Sequence, residues 1–203
     1  MKTQLVDVTH DQTIFVTEDS QYVLLVQDFF SKTLSAIEFV FEKSAVKAEI
    51  ILVYCLPKNG ELNVTTLANH KVSNTTCFTK VRGVLTDGAT SNYVGKIIID
   101  KKAQQTTSFL NDKVLVVGER TKNNSQPILV IDADDVSASH SASTGRIDAD
   151  EVYYLQSRGL SKKEAERVVV EGFFDQQLND IKDKKVRITL KTLIEKSLSE
   201  VQF

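Results

Sequence analysis

Apolar and polar residues alternate at a period near two through much of the first 135 residues, most plainly in IEFVFEK (37–43) and AEIILVY (48–54). That period is the mark of strands buried on one face. It predicts strands over Thr13–Thr17, Tyr22–Gln27, Ala36–Glu42 and Lys47–Tyr54, with Asp28–Ser35 read as a loop. Pro57–Leu67 adds a turn at Asn59-Gly60 and a further strand. Asn69–Asp100 continues the pattern, with turns predicted at Asp87-Gly88 and around Gly95. Short strands recurring every ten or so residues fit a sandwich, a barrel or a coiled solenoid, and the period does not choose among them. A clean internal repeat would favour the solenoid. Only a loose echo is visible, between VGKIIID (94–100) and QPILVID (126–132).

From Asp148 onward the period becomes helical. Asp148 suits an N-cap, with Asp150 and Glu151 in the first turn complementing the helix dipole, and Arg158-Gly159 ends this short helix. Ser161 and Glu164 form a capping box for a second helix, whose apolar stripe is predicted to be Ala165, Val168, Val169, Gly172 and Phe173. Val170 and Phe174 lie off that stripe, an apolar surplus that suits a partner contact if it does not pack under the next helix. After a charged break at Asp180–Lys185, Leu190, Leu193, Ile194 and Leu198 predict a third helix. The chain therefore divides into a strand region, 1–147, and a helical region, 148–203. The stretch Ser137–Phe174 is read as the hinge between them, its first part small and polar.

Composition narrows the function classes. The 203 residues carry a net charge of −2 and a pI near 6.0, so no basic field draws the chain to nucleic acid or anionic lipid. No segment reaches the roughly 18 apolar residues of a membrane helix, and the first residues show no export signal. Cys55 and Cys77 have neither disulfide-framework nor CxxC spacing, which suits a reducing compartment and makes the cytoplasm the expected location. GATSNYVGK (88–96) ends in Gly-Lys, but six residues separate its glycines and Ile97 follows the lysine, so it is not a phosphate-binding loop. His10, His70 and His140 fall in no metal-ligand spacing, and no nucleophile motif is present. His140, flanked by Ser139, Ser141 and Ala142 and downstream of Asp134 and Asp135, is the histidine best placed for a ligand or acid–base role.

The segment ADDVSASHSASTGRIDADEVYYLQSRGLSKKEAERVVVEGFF (133–174) resembles the C-terminal signature of the SufB/SufD proteins, scaffold components of the SUF iron–sulfur cluster assembly machinery. There an Asp-Asp-Val leads through a His to Gly-Arg-Ile-Asp, then Tyr-Leu-x-Ser-Arg-Gly and a helix opening with Glu-Ala. The likeness continues more weakly through 80–109 and 127–131. It implies a right-handed parallel β-helix followed by a small helical domain that docks a SufC-like ABC-type ATPase, with Val170, Phe174 and Arg158 as partner-binding candidates. It implies a dimer through the β-helix, either of two copies or with a SufB-like protein. It also implies a non-catalytic scaffold role, with His140 the candidate ligand for a metal or a transient cluster shared between subunits. Two departures stand out. Family members are usually more than twice as long, and the functional cysteine of the SufB branch has no counterpart over Thr106–Asp112. The chain therefore looks SufD-like, and the alternative is a structural protein that keeps the fold without assembling clusters.

Overall fold

The computed structural model of the protein describes residues 1–26, 34–199 and 201. Eleven strands come first: β1 (Lys2–Asp7), β2 (Gln12–Phe15), β3 (Ser20–Leu25), β4 (Ser35–Phe41), β5 (Lys47–Leu56), β6 (Glu61–His70), β7 (Thr76–Leu85), β8 (Thr90–Ile99), β9 (Thr106–Val116), β10 (Lys122–Ile131) and β11 (Val136–Arg146). Odd-numbered strands form one sheet and even-numbered strands another, in sequence order, and every paired register is parallel. A chain that alternates between two such sheets coils as a parallel β-helix, the architecture that the resemblance implies.

Ser20, Ala48, Cys77, Ser108 and Ala138 pair successively across the first sheet, at separations of 28, 29, 31 and 30 residues. A coil of this period hides from the eye because each rung fills its interior with different side chains. The echo between 94–100 and 126–132 is nonetheless a true register, with Val94 opposite Gln126 and Ile99 opposite Ile131 in β8 and β10. The Gly88 turn has φ +68°, as its sequence suggested. Gly95 instead lies inside β8, where a Cβ would sit 2.2 Å from Leu110 Cδ1. Its hydrogen atom admits a neighbouring side chain and makes no turn. Residues 88–96 are largely this extended strand, which disposes of the phosphate-loop geometry. The reading of Asp28–Ser35 as a loop lies mostly outside the described residues, and Ser35 begins β4.

Two strands escaped the sequence pattern. β1 precedes the first predicted strand, and β11 occupies the small polar half of the supposed hinge. β11 alternates only small apolar residues with serine, Val136, Ala138 and Ala142 against Ser137, Ser139, Ser141 and Ser143; it is the last strand of its sheet and its C-terminal two-thirds are exposed on both faces.

The helices α1 (Ala149–Ser157), α2 (Lys162–Leu178) and α3 (Lys184–Ser199) follow. Asp148 caps α1 by accepting from the Asp150 amide, and Ser161 and Glu164 form the predicted capping box on α2. The helices do not close a core of their own. Val170, Phe174 and Leu178 of α2, with Leu190, Ile194 and Leu198 of α3, pack onto Val23, Ile51, Val53, Cys55 and Val84 of the first sheet. The β-helix interior is a separate core holding Tyr22, Phe39, Ile50, Leu52, Tyr54 and Tyr93. β5 therefore reads as apolar on both faces, because one faces the interior and the other the helices. Buried Gln21 fastens the α2–α3 connection to the sheet, donating to Asp180 O at 2.9 Å and accepting from the Lys182 amide at 2.8 Å.

This packing corrects the reading of α2. Val170 and Phe174 are 0% and 1% exposed, and Val168 of the predicted stripe is 44% exposed. Residues 170, 174, 177 and 178 lie on the buried face, together with Ala165 of the predicted stripe. With three consecutive valines and two consecutive phenylalanines, the segment offers two adjoining apolar faces. The sheet beneath selects one of them, so Val170 and Phe174 are core residues and no exposed partner surface.

Candidate functional site at the end of the β-helix

In a parallel register, paired residues send their side chains to the same face of the sheet. His140 pairs with Leu110, a residue of the interior core, and so projects toward the coil axis. It is exposed because β11 is the last strand of its sheet and nothing lies above it among the described residues. Ala138 and Ala142 flank it on the same face, leaving the imidazole unobstructed. Asp134 and Asp135 are not its partners. They lie in the turn before β11, and an extended strand carries Asp135 about 16 Å from His140 at roughly 3.3 Å per residue.

One rung below His140, on the same inward face, is Asp112 of β9, directly under Ala142. Its side chain is 1% exposed, and burial pushes its carboxyl above the usual carboxylate range; the Ser125 hydroxyl and the Arg82 guanidinium oppose that shift. Ser125 of β10 donates to Asp112 Oδ2, while Oδ1 is buried without a partner. Arg82 projects from the opposite face of the sheet, since its neighbour Val81 is the residue that points inward beneath Asp112. There it donates to Asn111 Oδ1 at 2.8 Å. Asn123 of β10 closes the end of this row, donating from Nδ2 to Thr144 Oγ1 at 2.7 Å, with its Oδ1 also buried and unpartnered. Sequence reasoning passed over Asp112, Asn123 and Ser125. The available signal was a carboxylate at an inward position of the alternating strand TTSFLNDKVLV (106–116).

Other singled-out residues fall elsewhere. His70 lies in the interior, fully buried, with Nδ1 2.8 Å from Thr75 Oγ1 and Nε2 3.1 Å from Ser108 Oγ. Burial lowers its pKa to about 4, so the ring is neutral. His10 is exposed near Thr9. Cys55 packs beneath the helices and Cys77 faces the interior; burial pushes both thiols up to about 12, which leaves them unreactive. Arg158 ends α1 with its guanidinium 5.1 Å from the Tyr154 ring centre and Nη2 3.3 Å from Tyr154 Oη. Tyr153 and Tyr154 beside it are 73% and 57% exposed. No group of three or more His, Cys, Asp and Glu gathers at one point among the described residues. No described helix is long and apolar enough to cross a membrane.

Comparison with known proteins bears directly on this arrangement. The chain is 39% identical over 116 residues to the iron–sulfur cluster assembly protein SufD of Bacillus subtilis, a match covering 57% of this chain and 26% of that protein. It is 32% identical over 118 residues to a SufBD family iron–sulfur cluster assembly protein of Pyrococcus horikoshii, covering 58% and 26%. It is 28% identical over 104 residues to the SufD of Escherichia coli, covering 51% and 25%. These matches thus span only about a quarter of each relative's length. The family model for the SufBD core domain of the SUF FeS cluster assembly system matches residues 3–173, a stretch that takes in all eleven strands and most of α2. Since that match covers the β-helix, its terminal rung and the first helix together, the chain belongs to the SufB/SufD family of the SUF iron–sulfur cluster assembly system.

Proposed function

We propose that the protein is a non-enzymatic scaffold or adaptor in iron–sulfur cluster assembly, holding a metal or transient cluster at the end of its β-helix through His140. The observation that carries this reading is the position of His140: an unobstructed imidazole aimed at the coil axis from the last rung of a SufBD core. A neutral imidazole ligates iron, and the exposed rung leaves its other coordination positions to a neighbouring chain. The chain's two thiols are buried and protonated, so thiolate ligands come from a partner. That partner is a second copy or a SufB-like protein. β11 is the last strand of its sheet and β10 the last of the other, so strand pairing across them extends both sheets and removes two open edges. Buried free thiols suit a reducing cytoplasm.

Docking of a SufC-like ABC-type ATPase falls to α1, where Tyr153, Tyr154 and Arg158 form an exposed aromatic and cationic surface. Anaerobic reconstitution of the protein with iron and sulfide, alone and beside a SufB-like protein and the ATPase, tests the scaffold reading. The expected result is a cluster absorption band that His140→Ala removes without changing the melting temperature. A band unaffected by that substitution refutes the role of His140. No band under any combination favours a structural protein that keeps the fold without assembling clusters.

A further inference from the structure

Helices α2 and α3 pack on the first sheet, and the outer face of the second sheet carries a groove of its own. Ile37 and Phe39 of β4 point into the coil, so Ala36, Glu38 and Val40 face outward. Thr13 and Phe15 of β2 pair with Glu38 and Val40, and Thr65 and Leu67 of β6 pair with Ala36 and Glu38, so all share that face. The groove, about 280 Å³, lies between Asp11, Thr13 and Glu38 over a floor of Ala36, Thr65 and Leu67. The small side chain of Ala36 gives it depth.

Two carboxylates meet there, each tethered through one oxygen. Asp11 Oδ1 accepts from the Ala36 amide at 2.8 Å, and Glu38 Oε1 accepts from Asn69 Nδ2 at 2.7 Å. Both donors are neutral, so the carboxylates are held in place with their charge uncompensated. No lysine or arginine forms an ion pair with either one among the described residues. Lys96 of β8 is two strands from Glu38, about 9–10 Å at strand spacing.

We propose that this groove receives the lysine or arginine side chain of an extended segment of a partner protein, laid along β2. The site lies on the other sheet from the helices and at the opposite end of the coil from His140, so it goes beyond the scaffold reading and uses none of its residues. The chemistry of the lining selects the side chain. Ala36, Leu67 and the threonine methyls receive an aliphatic stem, and the second oxygen of each carboxylate accepts from the cationic head. The strand geometry selects the extended conformation. Thr13 and Phe15 stand two residues apart on one face, and Phe15 is 56% exposed. An extended chain repeats its facing at the same interval, so a segment with a basic residue opposite Thr13 sets its next same-face residue, an apolar one, against Phe15. β2 pairs only with β4 among the described residues, and its other edge offers backbone groups to the same segment.

The test titrates a capped Thr-Lys-Thr-Val-Thr peptide into the isotope-labelled whole chain, followed by NMR, with glutamate replacing the lysine in a control peptide. Amide shifts are expected at Thr13, Glu38 and Leu67. The lysine peptide is expected to bind at least about tenfold more tightly than the control, with a preference that shrinks as salt rises. Glu38→Gln removes a charge, and Ala36→Leu fills the floor while keeping both carboxylates; each is expected to weaken the lysine peptide about tenfold. Melting curves accompany both variants. Ala36 is exposed, so its substitution keeps the test valid if Glu38→Gln disturbs the fold through Asn69. Equal affinity for the two peptides, no binding of the lysine peptide, shifts confined to another surface, or unchanged affinity in both variants overturns the proposal. Neither His140 nor α1 enters this titration, so its failure leaves the scaffold reading standing, and a failed cluster reconstitution leaves the groove.

Discussion

His70 stacks on Phe41 inside the β-helix, the ring centres 4.3 Å apart and the planes 16° from parallel. Burial in a site closed to water keeps the imidazole neutral, with Thr75 and Ser108 at its two ring nitrogens. Its pKa of about 4 lies below the unfolded value near 6.5, so between those limits the unfolded chain binds the proton first. The corresponding stability is therefore complete above about pH 6.5 and lost as pH falls toward 4. The loss amounts to roughly 3 kcal/mol for a shift of this size. Urea denaturation at pH 7 and pH 4.5, on the parent and on His70→Gln, checks it. The glutamine variant is expected to lose most of the pH dependence in this window, whatever its stability at pH 7. An equally steep dependence in both proteins would place the titration elsewhere.

Gly83 pairs with Tyr54 across the first sheet, and a Cβ at Gly83 would fall 2.3 Å from the Tyr54 Cζ. The Tyr54 ring is itself held, its hydroxyl 2.9 Å from Ser91 Oγ. It cannot swing aside without stranding a buried hydroxyl. Gly83→Ala is expected to cost about 1–3 kcal/mol through overpacking. Chemical denaturation measures the loss, and Gly145→Ala serves as control, because nothing lies within 4 Å of a Cβ there. Equal stability of the two variants would show that Tyr54 is free to move.

Phe174 and Tyr153 separate core packing from docking. Phe174 is 1% exposed between α3 and the sheet, so Phe174→Ala is expected to destabilise by about 3–5 kcal/mol. Tyr153 is 73% exposed on α1, and Tyr153→Ala should leave the melting temperature within a degree or two. Surface plasmon resonance against the ATPase then decides the docking face. Tyr153→Ala combined with Arg158→Glu is expected to weaken binding at least tenfold if α1 carries the contact. Undiminished binding by that double variant would move the contact off α1.

What the sequence determined by itself was local. Alternation at a period of two marks the strands because a half-buried strand needs it, and the Asp148 cap and the Ser161–Glu164 box mark helix starts because they satisfy backbone groups two or three residues away. The family signature also lay within one stretch, since a resemblance needs only contiguous residues. Where the pattern failed, the deciding neighbour was remote. β11 alternates only small apolar residues, Val136, Ala138 and Ala142, with serines, and pairing with β9 is what identifies it as a strand. Tertiary structure decided which of two adjoining faces of α2 is buried, because the sheet that receives Val170 and Phe174 is contributed by residues 23–84. It also brought Asp112 beneath the rung of His140 and aligned Asn123 with Thr144, pairs separated by 28 and 21 residues in the chain. A rung length of about 30 residues is set by how the whole coil closes on its core. No local spacing rule holds that information.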